Sequence, residues 1–408
     1  MNPTREACKR SAAWRSRLAP EDRLSLLLAR GTFPPATQTQ ALDLLDTPLR
    51  WDIVLDRVRS HAIVPLVHRN LERLGFYRVP TGARERLAGL TRVNAFRNIL
   101  LQEELLHTLE VLGGAGLPVI PLKGVALAAS LYGDAALRMS SDLDILVPPD
   151  AVARAFDLLL ADGYEPAERY TVGRSEIGWL LASNMEYRFV RRRPELVTIL
   201  ELHWDVAWRW QREGRAVEHI WKGAQPRAIL GSRAWALSPE WEALYLMIHA
   251  ARHRWQELKW VVDIHELCVR GDVPWDAVFE LAAAFGWDEV VRVSLGLCET
   301  LFDTPVPERC AGTPLPAWLR VFPPMLTPAD IWADALVAVR LLRRPDLKLR
   351  YLARVLLLPT LADRRALRLP DALSALYYPL RPLRLCGRFA WDRAGGGLRR
   401  LATLGGER

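Results

Sequence analysis

Apolar side chains along this chain keep two different periods. From the N-terminus to about residue 115 they recur at helical spacing: Trp51, Val54, Leu55 and Val58 share a face, and Asn98 to Leu112 is a second amphipathic stretch. At Gly113-Gly-Ala-Gly116 the pattern changes. A short apolar run, Leu117-Pro-Val-Ile-Pro-Leu122, passes through Lys123-Gly124 into a helix-like segment from Val125 to Tyr132. Leu143-Asp-Ile-Leu-Val147 then reads as a strand that ends at a double proline. Asp150 is placed to cap the next helix, whose Val152, Phe156, Leu159 and Leu160 share one face, and Gly163 ends it. Met185 to Val190 and Val197 to His203 are further strand candidates. From about Glu240 the helical period returns through Trp241, Leu244, Tyr245 and Ile248 to Trp260 and Ile264, and it continues to Phe302. Prolines 305, 307, 314, 316, 323 and 324 mark a linker. A Leu/Arg-rich region follows and frays at Gly395-Gly-Gly397. No internal repeat of roughly 20–50 residues is present. The order predicts α/β or α+β architecture, one sheet backed by helices.

Composition narrows the class. The chain has 408 residues, 50% hydrophobic and 25% charged, an ordinary globular balance with length for two or three domains. Apolar runs such as Val355-Leu-Leu-Leu-Pro359 fall well short of the roughly 18 residues a spanning helix needs. The basic N-terminal stretch through Arg23 lacks the apolar segment of a signal peptide. Cys8, Cys268, Cys298, Cys310 and Cys386 form neither a zinc pattern nor a disulfide framework, which predicts a reducing, cytoplasmic compartment. The net charge of +8 is unevenly spread. Residues 340–408 hold 16 Lys/Arg against 5 Asp/Glu, net +11, leaving 39 against 42, net −3, elsewhere. This predicts an acidic partner for residues 340–408: nucleic acid, an anionic membrane surface to which the protein is peripheral, or an acidic protein. A solvated basic face is the plain alternative. Ten of the sixteen tryptophans lie between 204 and 287 with few cations among them, which predicts an aromatic core rather than a nucleic-acid stacking platform.

The candidate chemistry lies on the strands. Residues i and i+2 of a strand point to the same face, so Asp142 and Asp144 project together while Leu143 and Ile145 face the core. Side by side the two carboxylates repel, a conflict that a divalent cation removes. Replacing both by Asn should barely lower stability or even raise it, because a repulsive pair is relieved. Glu201, an acid inside the apolar run Ile199-Leu-Glu-Leu-His203, joins them if its strand pairs beside 143–147. Such a triad can hold two metal ions, one activating an attacking oxygen and one steadying the phosphates of a leaving pyrophosphate. His203 shares the face of Glu201 and is a candidate to orient an acceptor or act as its base, or merely to hydrogen-bond Glu201. The amides after Gly124 suit a phosphate, with Lys123 and Arg138 supplying positive charge to the developing anion. A structural ion pair is the alternative for Arg138. His249 and His253 have zinc spacing but no nearby third ligand, so packing on a helix face is expected. Lys259 and Asp263 lie one helical turn apart and read first as an ion pair.

Lys123-Gly124, a helix, Arg138 and then Ser141-Asp-Leu-Asp-Ile-Leu-Val147 resemble the nucleotidyltransferase superfamily of the DNA polymerase β-like fold. They are more similar still to its poorly characterised bacterial branch. The resemblance covers roughly residues 45–270, including His61 to Leu71 and Leu202-His-Trp204. It implies an α+β fold with a small mixed sheet backed by helices. The divisions expected are an N-terminal helical region at 1–112, a catalytic core at 113–238, a helical domain at 239–304, and a proline linker with a basic helical region at 305–408. It also implies Asp142 and Asp144 as the metal-binding pair and Glu201 as the third acid. Lys123, Gly124, Arg138, Ser141, Lys259 and Asp263 would lie at the nucleotide. Two departures stand out: Lys-Gly-Val replaces the superfamily's usual Gly-Ser at the phosphate turn, and the gap from Gly124 to Asp142 is long.

The resemblance therefore implies a Mg2+- or Mn2+-dependent enzyme. It would move a nucleoside monophosphate from an NTP to an acceptor, a small molecule, a protein or peptide, or an RNA end, and release pyrophosphate. The rival expectation is a catalytically silent nucleotide-binding scaffold whose basic C-terminal region does the work.

Overall fold

The computed structural model describes residues 11, 13–167, 176–207, 215–316, 319 and 331–387. The frayed tail at 395–397, prolines 323 and 324, and residues 1–10 and 12 of the basic N-terminus lie outside them. The chain opens with helices α1 (Pro20–Leu28), α2 (Pro35–Leu45), α3 (Trp51–Ser60) and α4 (Val64–Arg73), then the 34-residue α5 (Thr81–Gly114). The sheet region follows as β1 (Ile120–Pro121), α6 (Gly124–Tyr132), β2 (Leu143–Leu146), α7 (Val152–Ala161), β3 (Glu165–Pro166), α8 (Ile177–Ser183), β4 (Glu186–Arg192) and β5 (Val197–His203). Next come α9 (Arg215–Gly223) and the hairpin of β6 (Gln225–Ile229) and β7 (Ser232–Ala236). Helices α10 (Pro239–Arg252), α11 (Leu258–Arg270), α12 (Trp275–Phe285) and α13 (Asp288–Phe302) form the second helical block. Beyond residue 330 are α14 (Ile331–Leu341), α15 (Pro345–Leu357) and α16 (Leu361–Ala366).

The fold is α+β, with a five-stranded mixed sheet in the order β1-β2-β5-β4-β3. β2 and β5 run parallel and the other pairs antiparallel. Leu143, Ile145 and Val147 enter a core with Phe156, Phe189 and Leu200, closed by the inner stripe Leu101, Leu105, Leu109 and Leu112 of α5. The same helix steers the approach to β2. Asn98 Nδ2 donates to the carbonyls of Ala135 (2.6 Å) and Arg138 (2.7 Å), and Asn94 Nδ2 to that of Ala136 (2.8 Å).

The two helical blocks share the other core. Trp241, Trp255 and Trp287 are fully buried in it, and Leu24, Val58 and Val67 of the first block join the same cluster. Polar contacts fix this docking. The Leu258 and Lys259 amides donate to His61 Nδ1 and to its carbonyl, both at 3.2 Å. Glu266 of α11 accepts the Gly31 amide at 2.7 Å, and a Cβ on Gly31 would lie 2.7 Å from that carboxylate, so a larger residue there would have to displace it. The described half of the proline-rich stretch packs on α13 rather than hanging free, with the Gly312 amide donating to Glu299 Oε2 at 2.8 Å.

Two local expectations are corrected, and one element lies beyond them. Asp150 does not cap α7: it lies in a 3-10 turn (Pro149–Ala151), and that helix starts without a side-chain cap. The short run from Leu117 yields only the two-residue β1, because Pro118 and Pro121 lack the amide a ladder needs. The hairpin of β6 and β7 was not foreseen. Its first strand is almost wholly exposed, so no apolar alternation announced it.

Burial of histidine makes this fold acid-sensitive. Burial, helped by the Arg57 charge, pushes His61 down to about 4. Burial and the Arg30 charge push His265, stacked 4.9 Å from Phe302, down to about 3. Both folded values lie below the unfolded value, so this stability is complete above about pH 6.5 and is lost as pH falls toward those values. Going from about pH 7 to about pH 5 should cost up to about 2 kcal/mol per histidine. A melting temperature that held level over that interval would contradict this.

Candidate active site

The register of the parallel pair builds the site. Asp144 of β2 lies opposite Glu201 of β5, and Leu146 opposite His203. Ligand atoms of Asp144, Glu201 and His203 all fall within 4.8 Å of one another, the only such cluster of three among the described residues. His203 Nε2 is 3.1 Å from Asp144 Oδ1 and 3.6 Å from Glu201. Asp142 and Asp144 do project together, and the group between them is Lys123, whose ammonium is 2.8 Å from Asp144 and 3.5 Å from Asp142. Asp144 Oδ2 is buried and is answered by that ammonium rather than by an aligned hydrogen bond.

Lys123 reaches this position because β1 pairs with β2 and the chain turns at once into α6. Gly124 makes the turn at φ +68°, and a Cβ there would meet the Asp142 carbonyl oxygen at 3.4 Å. A side chain would be strained in that backbone region. Ser141 is exposed, its hydroxyl donating to Asp142 Oδ1 at 3.2 Å.

The electrostatics follow from packing. Burial would lower the Lys123 ammonium, but the charges of Asp144, Asp142 and Glu201 hold it above its ordinary value. Burial and the Asp142 charge push Asp144 up, against the pull of Lys123 and His203. Burial would raise Glu201 too, but the nearby His203 ring and the cations Lys123 and Arg188 carry it well below the carboxylate range. Burial would lower His203, yet its hydrogen bond to Asp144 and the nearby Glu201 and Glu186 carboxylates push it up to about 9. The ring is buried, faces three carboxylates and keeps its proton near neutrality.

Three further charged residues complete the cluster. In the antiparallel pairing of β4 and β5, Glu186 lies opposite His203 and Arg188 opposite Glu201. Glu186 Oε2 is 3.4 Å from His203 Nδ1 and 3.3 Å from Arg252 of α10, while Arg188 Nε donates to Glu201 Oε1 at 2.7 Å. Glu186 and Arg188 alternate with buried Tyr187 and Phe189, a pattern present in the sequence but not used to find them.

Other candidates sit to one side. Arg138 is buried and bidentate to Asp263, Nε to both carboxylate oxygens at 3.1 and 3.0 Å, and the Tyr132 hydroxyl donates to the same group at 2.8 Å. The structural alternative describes this geometry, since the guanidinium is already matched. The one-turn pair of Lys259 with Asp263 does not form: Lys259 meets Glu257 at 2.8 Å and lies over the Trp260 ring. His249 and His253 pack with tilted rings, centroids 4.7 Å apart, beside Trp260, with no third metal ligand among the described residues.

A small mixed sheet with acids on adjacent parallel strands, entered through a Lys-Gly turn, defines the class of site. The model of a family described as uncharacterised nucleotidyltransferase matches residues 47–303, well over half of the chain, and the chain belongs to that family. Among solved structures, the antibiotic-resistance factor ANT(2'')-Ia is similar at 16% identity and a TM-score of 0.31, over 47% of this chain and 92% of its own. An antigenic nucleotidyltransferase-like protein from Paracoccidioides brasiliensis is similar at 17% identity and a TM-score of 0.31, over 54% and 95%. No curated protein matches the chain.

Proposed function

We propose that the protein transfers a nucleoside monophosphate from an NTP to an acceptor and releases pyrophosphate, with a divalent cation held by Asp142, Asp144 and Glu201. The observation that carries this reading is the in-register placement of Asp144 and Glu201 on adjacent parallel strands, with Asp142 on the same face. The donor set fits such a cation. Hard carboxylate oxygens converge, one buried oxygen is met only by the Lys123 ammonium, and His203, once it gives up its proton, could add an imidazole nitrogen to the set. When bound, Mg2+ or Mn2+ would neutralise triphosphate charge and acidify the attacking group.

The chain's own residues would do the rest. Gly124 lets the backbone at the start of α6 approach a phosphate closely, where the first helical amides are unpaired donors. Lys123, released from the carboxylates, would turn to the phosphates as a point charge. The acceptor oxygen forms its bond to the α-phosphorus as the bridging bond to the β-phosphate breaks. That electron pair leaves with pyrophosphate, and the acceptor's proton leaves through the carboxylate edge of the site. Positioning and charge matching supply the rate, since no covalent intermediate is needed.

The test is incubation with each NTP labelled at the α-phosphate, a divalent cation and cell lysate. Label should appear on one acceptor, with one pyrophosphate per transfer, and chelation should stop it. If the protein binds nucleotide but labels nothing with any NTP, the catalytic reading fails and a silent nucleotide-binding scaffold remains.

A further inference from the structure

The last described segment carries an apolar surface that the transfer site does not use. Among the described residues, seventeen large apolar side chains are exposed, and ten of them lie between Leu336 and Leu383. On α15, Leu347 and Tyr351 face inward and are buried, while Leu349 is 70% exposed and Leu352 and Leu356 are each 38% exposed. At about 100° per residue those three leucines fall within one narrow stripe opposite the buried pair. Lys348 and Arg350 follow at about 100° to either side of Leu349. The helix is thus apolar on two faces, one packed on the protein and one turned outward between cations.

This surface is held on an ordered scaffold. Thr360 and Asp363 close a capping box on α16, and Arg381 donates to Asp363 at 2.6 Å and to the Val355 carbonyl at 2.9 Å. Tyr377 packs edge-on against Trp179 of α8 at 5.6 Å. The leucines are therefore displayed rather than waiting for an inner core.

Charge decides what covers them. Residues 340–387 hold 11 Lys/Arg and 3 Asp/Glu, so a second copy would bring like charge against like charge. Nucleic acid would match the cations, but bases call for aromatic or hydrogen-bonding groups between them, and leucines stand there instead. An anionic lipid surface matches both features, phosphates for the cations and the acyl boundary for the leucines. We propose that the outer face of α15, with the basic region around it, docks the protein on an anionic lipid surface. The contact is peripheral, since no described helix is long and apolar enough to cross a membrane.

The test is flotation of the full chain with vesicles of phosphatidylcholine, with and without phosphatidylglycerol. Association should require phosphatidylglycerol. Lys348→Glu with Arg350→Glu should weaken it at least about tenfold. Leu349→Ser, Leu352→Ser and Leu356→Ser together should weaken it roughly 100-fold or more, with the melting temperature unchanged. Equal binding to neutral vesicles, or a serine variant that binds as wild type does, would overturn the proposal. So would a dimer that the serine variant splits without any vesicle binding, which assigns the face to a second copy. Tighter binding to an oligonucleotide than to phosphatidylglycerol assigns it to nucleic acid.

Discussion

Asp142→Asn should lower the rate of label transfer by about 100-fold to 1000-fold or more while leaving a folded protein. Asp144→Asn should do both kinds of damage. The two aspartates do not simply repel across a gap, because the Lys123 ammonium lies between them at 2.8 and 3.5 Å. Asp142 is partly open to solvent, so an amide there leaves Lys123 paired with the inner acid. Asp144 is fully enclosed, and an amide there leaves a buried ammonium short of its nearer partner and His203 short of one of its acceptors. Removing one partner of a buried ion pair costs about 3–5 kcal/mol, an upper figure here because Asp142 and Glu201 remain nearby. The expectation that both aspartates could be neutralised at little cost to stability is thereby reversed for Asp144. Thermal melts beside the pyrophosphate assay separate the two variants. If Asp142→Asn turns over like wild type, the carboxylate pair is a counter-ion for Lys123 and the proposed chemistry has no basis.

The legibility of this structure in its sequence varies with the range of the interaction. β5 is bounded from Val197 to His203 as the sequence predicts because its apolar run is local, and the helices from Trp241 to Phe302 follow from period alone. The side-by-side projection of Asp142 and Asp144 was also legible, being fixed by the strand period. What stands between them was not. Lys123 comes from another strand end, and only the pairing of β1 with β2 brings it there. Glu186 and Arg188 were hidden for a different reason. Their alternation marks a face, but nothing local says which face meets β5. The hairpin of β6 and β7 turns at Leu230 (φ +53°) and Gly231 (φ +84°), a tight reversal with leucine where asparagine or aspartate normally signals one.

Arg138 gives the second large effect, and its partner was the least legible of all, 125 residues further along the chain. Arg138→Met should destabilise the protein by about 3–5 kcal/mol, because Asp263 stays buried with only the Tyr132 hydroxyl to answer its charge. Neutralising both ends is different. In Arg138→Met with Asp263→Asn, the amide oxygen still accepts from Tyr132 and no charge is left stranded, so most of that loss should return. The double variant should be clearly more stable than the Arg138→Met single variant, a coupling visible in urea melts analysed as a double-mutant cycle. The pair also joins the approach to β2, which Asn98 steadies from α5, to α11 of the second helical block. Its loss should therefore loosen the site before it loosens either core. The same double variant decides the expectation that Arg138 supplies charge to the substrate. A braced but uncharged link that retains label transfer assigns Arg138 to support, whereas restored stability without transfer places its guanidinium in the chemistry. A double variant no more stable than the single would mean that the two charges do not hold one another, and the brace would have to be abandoned.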